Sequence, residues 1–210
     1  MQPKYDPVMN GCSCQYCPLQ GSVVVPPCGP PDADMVIVAE SPGYWETKKG
    51  QPLVGPSGVQ FNDILYFANG IPRGRLWLTN TILCRPMVPG ADVSPKKKYD
   101  MKTYLAWIRT ENMRRRKAAK ATKVPPELMA SPLDCCAPRL WGELGYFEAK
   151  AQKMGRPNGA VVIALGNFAL KQITGREGVA KYRGSPLRVD FNDPQRPVGE
   201  GLKIEAGGAK

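Results

Sequence analysis

Apolar positions along this chain fall into short unbroken runs separated by amphipathic stretches. Met35-Val-Ile-Val-Ala39 is a continuous apolar run of strand length, and Pro42 and Gly43 stop it abruptly behind Glu40 and Ser41. From Gly58 to Asn69 the spacing becomes helical, with Phe61, Ile64, Leu65 and Ala68 on one face and Gly70 where a C-terminal cap is expected. Leu76-Trp77-Leu78 is a second apolar run, ending in Thr79-Asn80-Thr81. A third, between Gly159 and Gly166, predicts a buried strand followed by a helix from Asn167 to Ile173. The tail from Lys181 to Lys210 reads as loop plus a weak strand near Lys203-Ile204-Glu205. Strands alternating with helices predict the α/β class: three layers, α/β/α, around a central parallel sheet of about four strands.

Two segments interrupt this pattern. Met1 to Pro31 is rich in Pro, Gly and Cys, shows no sustained period, and needs something other than a core to order it. The stretch from about 88 to 131 lies between the strand-helix units and reads as an insert. Within it Pro89-Gly90 and Pro125-Pro126 bracket a helix expected from about Lys98 to Lys120. Tyr104, Leu105 and Ile108 give that helix a short apolar face before Arg114-Arg115-Arg116-Lys117 turns it to pure charge, so its basic half is expected to project into solvent or onto a partner. Cys135-Cys136-Ala137-Pro138-Arg139-Leu140 follows, then an amphipathic helix through about Met154. At 210 residues the chain suits one domain, 1–210, carrying this insert.

Charge sharpens the reading of the insert. Between Lys96 and Lys123 eleven basic residues stand against two acids, Asp100 and Glu111, so this window holds +9 of the net +11. Such concentration suits a polyanion, of which nucleic acid is the commonest; a solvated helix face is the alternative. The N-terminus has no basic start followed by an apolar core, and no apolar run approaches membrane-spanning length, so a cytoplasmic protein without a membrane partner is expected. Seven cysteines in a reducing compartment point to metal ligation rather than disulfides. The chain contains no histidine, which excludes Ser-His and Cys-His catalysis and any His-containing metal site.

Candidate chemistry lies at strand ends and in the cysteines. Ligands of open α/β sheets bind beyond the carboxyl ends of the strands, where Glu40 and Asn80 both fall. The Asn80 amide offers a donor and an acceptor together, matching the edge of a nucleobase; the alternatives are an Asx-type turn for Asn80 and a solvated turn for Glu40. Cys14-Gln15-Tyr16-Cys17 is a C-x-x-C whose thiolates can reach one metal centre from a tight turn.

Taken in order, these motifs resemble the iron-sulfur uracil-DNA glycosylases of family 4. The resemblance rests on Cys14 to Leu19, Ala39 to Gly43, Gly50 to Gly58, Thr79 to Pro86, Cys136 to Leu140, Ala164 to Gly166 and Arg183-Gly184. It implies the uracil-DNA glycosylase fold and an enzyme of base-excision repair, a hydrolase that cleaves the N-glycosidic bond of a deoxyuridine flipped out of the DNA stack. It implies a [4Fe-4S] cluster held by Cys14, Cys17, Cys84 and Cys136, with zinc as the rival metal and Cys12, Cys28 and Cys135 as free thiols. Cys12 or Cys135 could also replace a neighbouring ligand. Glu40, Ser41 and the Ala39, Pro42 and Gly43 backbone would position the attacking water, and Asn80 would read the uracil edge. Leu53 and Arg183 would complete the substrate site, Leu53 standing where the family carries a stacking Phe.

The resemblance also has a gap. The family's histidine, which stabilises charge on the departing base, is expected after Arg183-Gly184, and this chain reaches Lys210 without one. A second chain supplying it, a split or truncated protein, or loss of the group would each account for this. The expected partner is uracil-containing or single-stranded DNA, gripped by Arg114, Arg115, Arg116, Lys117 and Lys120. The competing reading is a catalytically silent DNA-binding module of a replication or repair assembly. A redox sensor using the cluster has no dedicated signal.

Overall fold

Strand β1, Met35–Ala39, lies between β2, Leu76–Asn80, and β3, Val161–Ala164, and pairs parallel with both. In the computed structural model, which describes residues 5–65, 70–91, 100–189 and 191, this sheet has the order β2-β1-β3. The register sets Ala39 beside Asn80 at the carboxyl end.

Alternation along β1 explains the layers. Val36 and Val38 face Leu140, Leu144 and Phe147 of helix α4 (Pro132–Lys153) and Ala169 and Ile173 of α5 (Asn167–Thr174). Ile37 and Ala39 face the other way, onto Leu53, Leu65, Leu76 and Leu78, with Phe61 of α2 (Pro56–Asp63) packed against them. The sheet is therefore covered on both faces, the α/β/α arrangement expected. A third cluster joins Leu19, Ile82 and Leu83 to Met101, Tyr104 and Ile108 of α3 (Met101–Thr122), with cysteines among them. Two short helices, α1 (Tyr44–Lys49) and α6 (Val179–Tyr182), follow β1 and α5 respectively.

Several boundaries differ from the sequence expectation. The described sheet has three strands rather than about four, and the weak strand expected near Lys203 lies outside the described residues. Strand β3 is not fully buried: Val161 is 49% exposed, because among the described residues β3 has a neighbour on one side only. The helix expected over Gly58–Asn69 starts earlier, at Pro56, and its last four residues are outside the described set; Ile64, expected on its buried face, is exposed. Helix α4 begins at Pro132, behind a Ser131 cap whose Oγ accepts from Leu133 N, so Cys135 and Cys136 lie inside it rather than ahead of it. Pro138 lies inside this helix on its exposed side, at the cost of one intrahelical N–H donor.

The described helix of the insert begins at Met101, behind Asp100, whose carboxylate accepts from Thr103 N and caps it; the start expected near Lys98 lies outside the described residues. That bond holds the Asp100 carboxyl below its ordinary range. Asp100→Ala is expected to cost about 1 kcal/mol of stability. Since the folded-state pKa is depressed, the contribution is complete above the ordinary carboxylate range and fades as pH falls through the folded value. Denaturant titrations of both proteins across acid pH should therefore converge.

Candidate functional site

The tips of β1 and β2 are locked together before any ligand arrives. Thr81 N donates to the Ala39 carbonyl at 2.8 Å, and Thr81 Oγ1 donates to the Glu40 carbonyl. The Glu40 side chain crosses to the tip of β3, where Oε1 accepts from Phe168 N at 3.0 Å in the first turn of α5. A carboxylate suits that place because the first turn presents unpaired N–H groups. Gly166 adopts φ +98°, and a Cβ there would run into the Glu40 carboxylate, which is a physical reason for glycine in Ala164-Leu165-Gly166. Asn80 is 2% exposed, and its Nδ2 has no hydrogen-bond partner among the described residues. A buried donor without an acceptor costs free energy unless something else fills the role.

The loop after α1 is built by two side chains that the sequence reading missed. Glu46 accepts from Gly43 N (3.1 Å), Val54 N (3.1 Å) and Gly55 N (2.7 Å), clamping both ends of the turn. Arg73 donates to the carbonyls of Pro52 (2.5 Å) and Leu53 (2.9 Å) and to Asn62 Oδ1 (2.8 Å). Leu53 is thereby held at φ +53°, and a Cβ on Gly58 would strike its backbone, so the glycine lets α2 start against the loop. The Leu53 side chain is buried with Ile37, Ala39 and Leu65 and packs beneath the strand tips. Ser41 and Gly43 are partly exposed beside the buried Pro42, and Arg183 is exposed at the end of α6, with no hydrogen bond or ion pair among the described residues.

Arg139 of α4, also missed, supports Asn80 from behind. Its side chain is 0% exposed, and its Nη2 donates to the carbonyls of Asn80 (2.7 Å) and Thr81 (3.1 Å). Nη1 donates to Thr79 Oγ1 (2.8 Å) and pairs with Glu143 Oε1 (3.1 Å), while Glu143 Oε2 accepts from Trp77 Nε1 (3.2 Å). The only trace of this in the sequence is an arginine one helical turn after Cys136, on a helix face otherwise apolar at Leu140 and Leu144.

Six of the seven cysteines gather on one side of this arginine. Cys14 and Cys17 flank a 3-10 turn closed by Cys17 N donating to the Cys14 carbonyl (3.0 Å). Ser13 N donates to the Cys135 carbonyl (2.8 Å), tying this turn to α4, and Val24 bridges to Cys84. Cys12 Sγ lies 3.9 Å from Cys136 Sγ. The Cys12 hydrogen bond, the Leu83 amide and the Arg139 charge hold the Cys136 thiol down to about 6 against its burial, and Cys12 is pushed up in turn. Burial, followed by the neighbouring thiols, pushes Cys84 up to about 12, and burial raises Cys17. The expected ligands Cys14, Cys17, Cys84 and Cys136 are thus neighbours. Among the described residues, however, no three Cys, Asp or Glu side chains close on one point as they would around a single ion. Cys28 stands apart, bridged to Leu78 and facing Arg73.

The expected nucleic-acid contacts on α3 separate into two groups. Arg114 donates to both oxygens of Glu111 (2.9 and 2.8 Å), and Arg115 donates to Glu111 Oε1 (3.1 Å) and the Glu127 carbonyl (2.8 Å). These two cations are committed within the protein and hold the Glu111 carboxyl down at about 2. Arg116, Lys117 and Lys120 are exposed. A groove of about 360 Å³ lies on the Arg114-Arg115 side, roofed by Val124 to Glu127, and a cavity of about 10 Å³ lies near Asp34 at the amino ends of the strands. Neither coincides with the strand tips. No described helix is long and apolar enough to cross a membrane.

Comparison with known proteins agrees with this geometry. The Uracil DNA glycosylase superfamily profile matches residues 26–199. The type-4 uracil-DNA glycosylase of Sulfurisphaera tokodaii is 36% identical over 76 residues, 35% of this chain and 34% of that protein. That of Archaeoglobus fulgidus is 35% identical over 88 residues, 41% and 44% of the two chains. That of Thermotoga maritima is 38% identical over 76 residues, 35% and 38%. The matched stretches span between a third and a half of these relatives. With the profile covering most of the sheet, the strand tips and the helices that pack on them, this chain belongs to the uracil DNA glycosylase superfamily.

Proposed function

We propose that this protein is a DNA glycosylase that hydrolyses the N-glycosidic bond of uracil, or a closely related base, in DNA. The observation that carries this reading is the buried, unpartnered Nδ2 of Asn80 at a strand tip adjoining the one that bears Glu40. A flipped uracil offers the carbonyl oxygen this donor lacks, and its ring N–H suits the amide oxygen. Glu40, fixed through Oε1, has Oε2 for holding a water against the sugar carbon, with Ser41 and the Ala39 to Gly43 backbone around it. As water adds at that carbon the bond to the base breaks, and the electron pair leaves with the base. The chain has no histidine to receive that charge. Without such a group, turnover is expected to be about 10²–10³-fold slower. The exposed cations Arg116, Lys117 and Lys120 on α3 favour a second reading, a silent DNA-binding module.

We place a [4Fe-4S] cluster on Cys14, Cys17, Cys84 and Cys136. The donor set suits it: the thiols of Cys14, Cys17, Cys84 and Cys136 lie together around one partly buried cluster, and Arg139 beside Cys136 offsets the charge of a thiolate-rich centre. When bound, the cluster would supply a cross-link among three distant segments rather than a reacting group. We place the protein in the cytoplasm, where free thiols persist.

The test is a uracil-containing oligonucleotide incubated with protein purified under nitrogen. Accumulation of abasic product supports the glycosylase; none at high enzyme concentration, with a histidine-bearing partner chain added, leaves the silent module. Cys84→Ser is expected to remove most of the iron and acid-labile sulfide, whereas Cys28→Ser leaves both in place; equal loss from the two variants would reject the ligand set.

A further inference from the structure

Helix α3 carries a row of cations that the consecutive run Arg114 to Lys117 conceals. Lys102, Arg109, Arg116 and Lys123 recur every seven residues, just under two turns, so the row drifts only about 20° per step. Lys120 falls one turn after Arg116, and Lys117 lies on the flank of the same face. All six are exposed. Arg116, Lys117, Lys120 and Lys123 form no hydrogen bond or ion pair among the described residues; Arg109 Nε reaches only the Leu105 carbonyl of its own helix, and Lys102 stands near the capping Asp100. The acid within the helix, Glu111, is on the opposite side, with Arg114 and Arg115 and under the returning segment Val124 to Glu127.

From Lys102 to Lys123 the row runs about 30 Å at 1.5 Å per residue, close to one turn of duplex DNA, about 34 Å. The helix is rooted by Met101, Tyr104 and Ile108 on Ile82 and Leu83, which follow Asn80 closely in sequence. A row of cations fixed at its base and laid along a duplex meets the phosphates of both strands where they border a groove. A merely solvated helix would gain nothing from keeping acids off one face over its whole length.

We propose that this face of α3 is a rail for the sugar-phosphate backbone of duplex DNA, in which Lys102, Arg109, Arg116, Lys117, Lys120 and Lys123 make the contacts and Arg114 and Arg115 do not. The rail goes beyond the excision reading and does not depend on it, since it acts on undamaged DNA. It supplies affinity without sequence information.

The experiment is fluorescence anisotropy of an undamaged duplex across a salt series. Each phosphate contact contributes about 0.9 to the slope of log K against log salt, so the full rail contributes about 5. The variant Arg109→Gln, Arg116→Gln, Lys117→Gln, Lys120→Gln, all at exposed positions, is expected to lower the slope by about 3 to 4. Arg114→Gln with Arg115→Gln should leave it within about one contact of wild type. Circular dichroism confirms that α3 is retained. An unchanged slope in the fourfold variant overturns the rail, as does an equal fall in the Arg114, Arg115 variant, which would assign binding to bulk charge. Equal dependence with single-stranded DNA overturns the duplex assignment. Failure of the excision reading shows separately, as wild-type protein with a full salt slope and no abasic product.

Discussion

Replacing Arg139 with alanine should lower the free energy of unfolding by about 3–5 kcal/mol, the cost of breaking a buried ion pair by removing one partner. The side chain is wholly buried and paired with Glu143, which is itself only 13% exposed. Its removal also strands the carbonyls of Asn80 and Thr81 and the hydroxyl of Thr79, which together define the tip of β2. Arg139→Lys should recover part of the loss, because an ammonium can meet Glu143 but cannot fork across two carbonyls. Urea titration of the three proteins checks this through the midpoint at constant slope. A loss under 1 kcal/mol for alanine would mean that water replaces the guanidinium and that β2 is not held from α4.

The second large effect falls on activity. Asn80→Ala should reduce kcat/KM for uracil excision by about 10²–10³-fold, the usual consequence of removing one preorganised polar contact from a site. Stability should hardly change, or should rise slightly, because the amide Nδ2 has no partner among the described residues and its deletion removes a buried donor. Single-turnover cleavage and thermal unfolding, measured on one preparation, separate the two outcomes. A marked fall in melting temperature accompanying the loss of activity would identify Asn80 as a structural residue of the strand end. Unchanged cleavage would remove it from the site.

Arg139 and Asn80 connect the two halves of the molecule. Cys136 and Arg139 are one turn apart on α4; the first is an expected cluster ligand, and the second grips the strand that presents Asn80. Whatever orders the cysteine layer therefore also sets the height of the Asn80 amide. This accounts for a site of this kind resting on an N-terminal segment that has no core of its own.

The motifs that carry chemistry were legible because each sits where a local pattern breaks. Glu40 and Asn80 end apolar runs, and the cysteines recur at ligand spacing in segments that lack periodicity. The residues that organise them were not legible. Glu46 looks like any acid in the first turn of a short helix, and Arg73 like any surface arginine in a turn. Their roles come from carbonyls and amides 3 to 21 residues away, and backbone groups leave no trace in side-chain pattern. For Leu53 the motif gives its place in a loop, whereas the Arg73 bond to its carbonyl and the close approach of Gly58 fix how that loop sits.

The sequence by itself determined the class of fold, the polar residues at strand ends, the set of thiols and the excess of positive charge in the insert, because periodicity and composition are local properties of the chain. Tertiary structure alone decided which charges are held by distant segments. It set Arg115 against the Glu127 carbonyl and buried Arg139 against Asn80 and Thr81 at the tip of β2, whereas the Glu111 pairs and the row from Lys102 to Lys123 follow from helical spacing within α3. The physical reason is that a charge finds a distant partner through space. Helix packing and strand register set that distance, and neither the order of residues nor their count contains it.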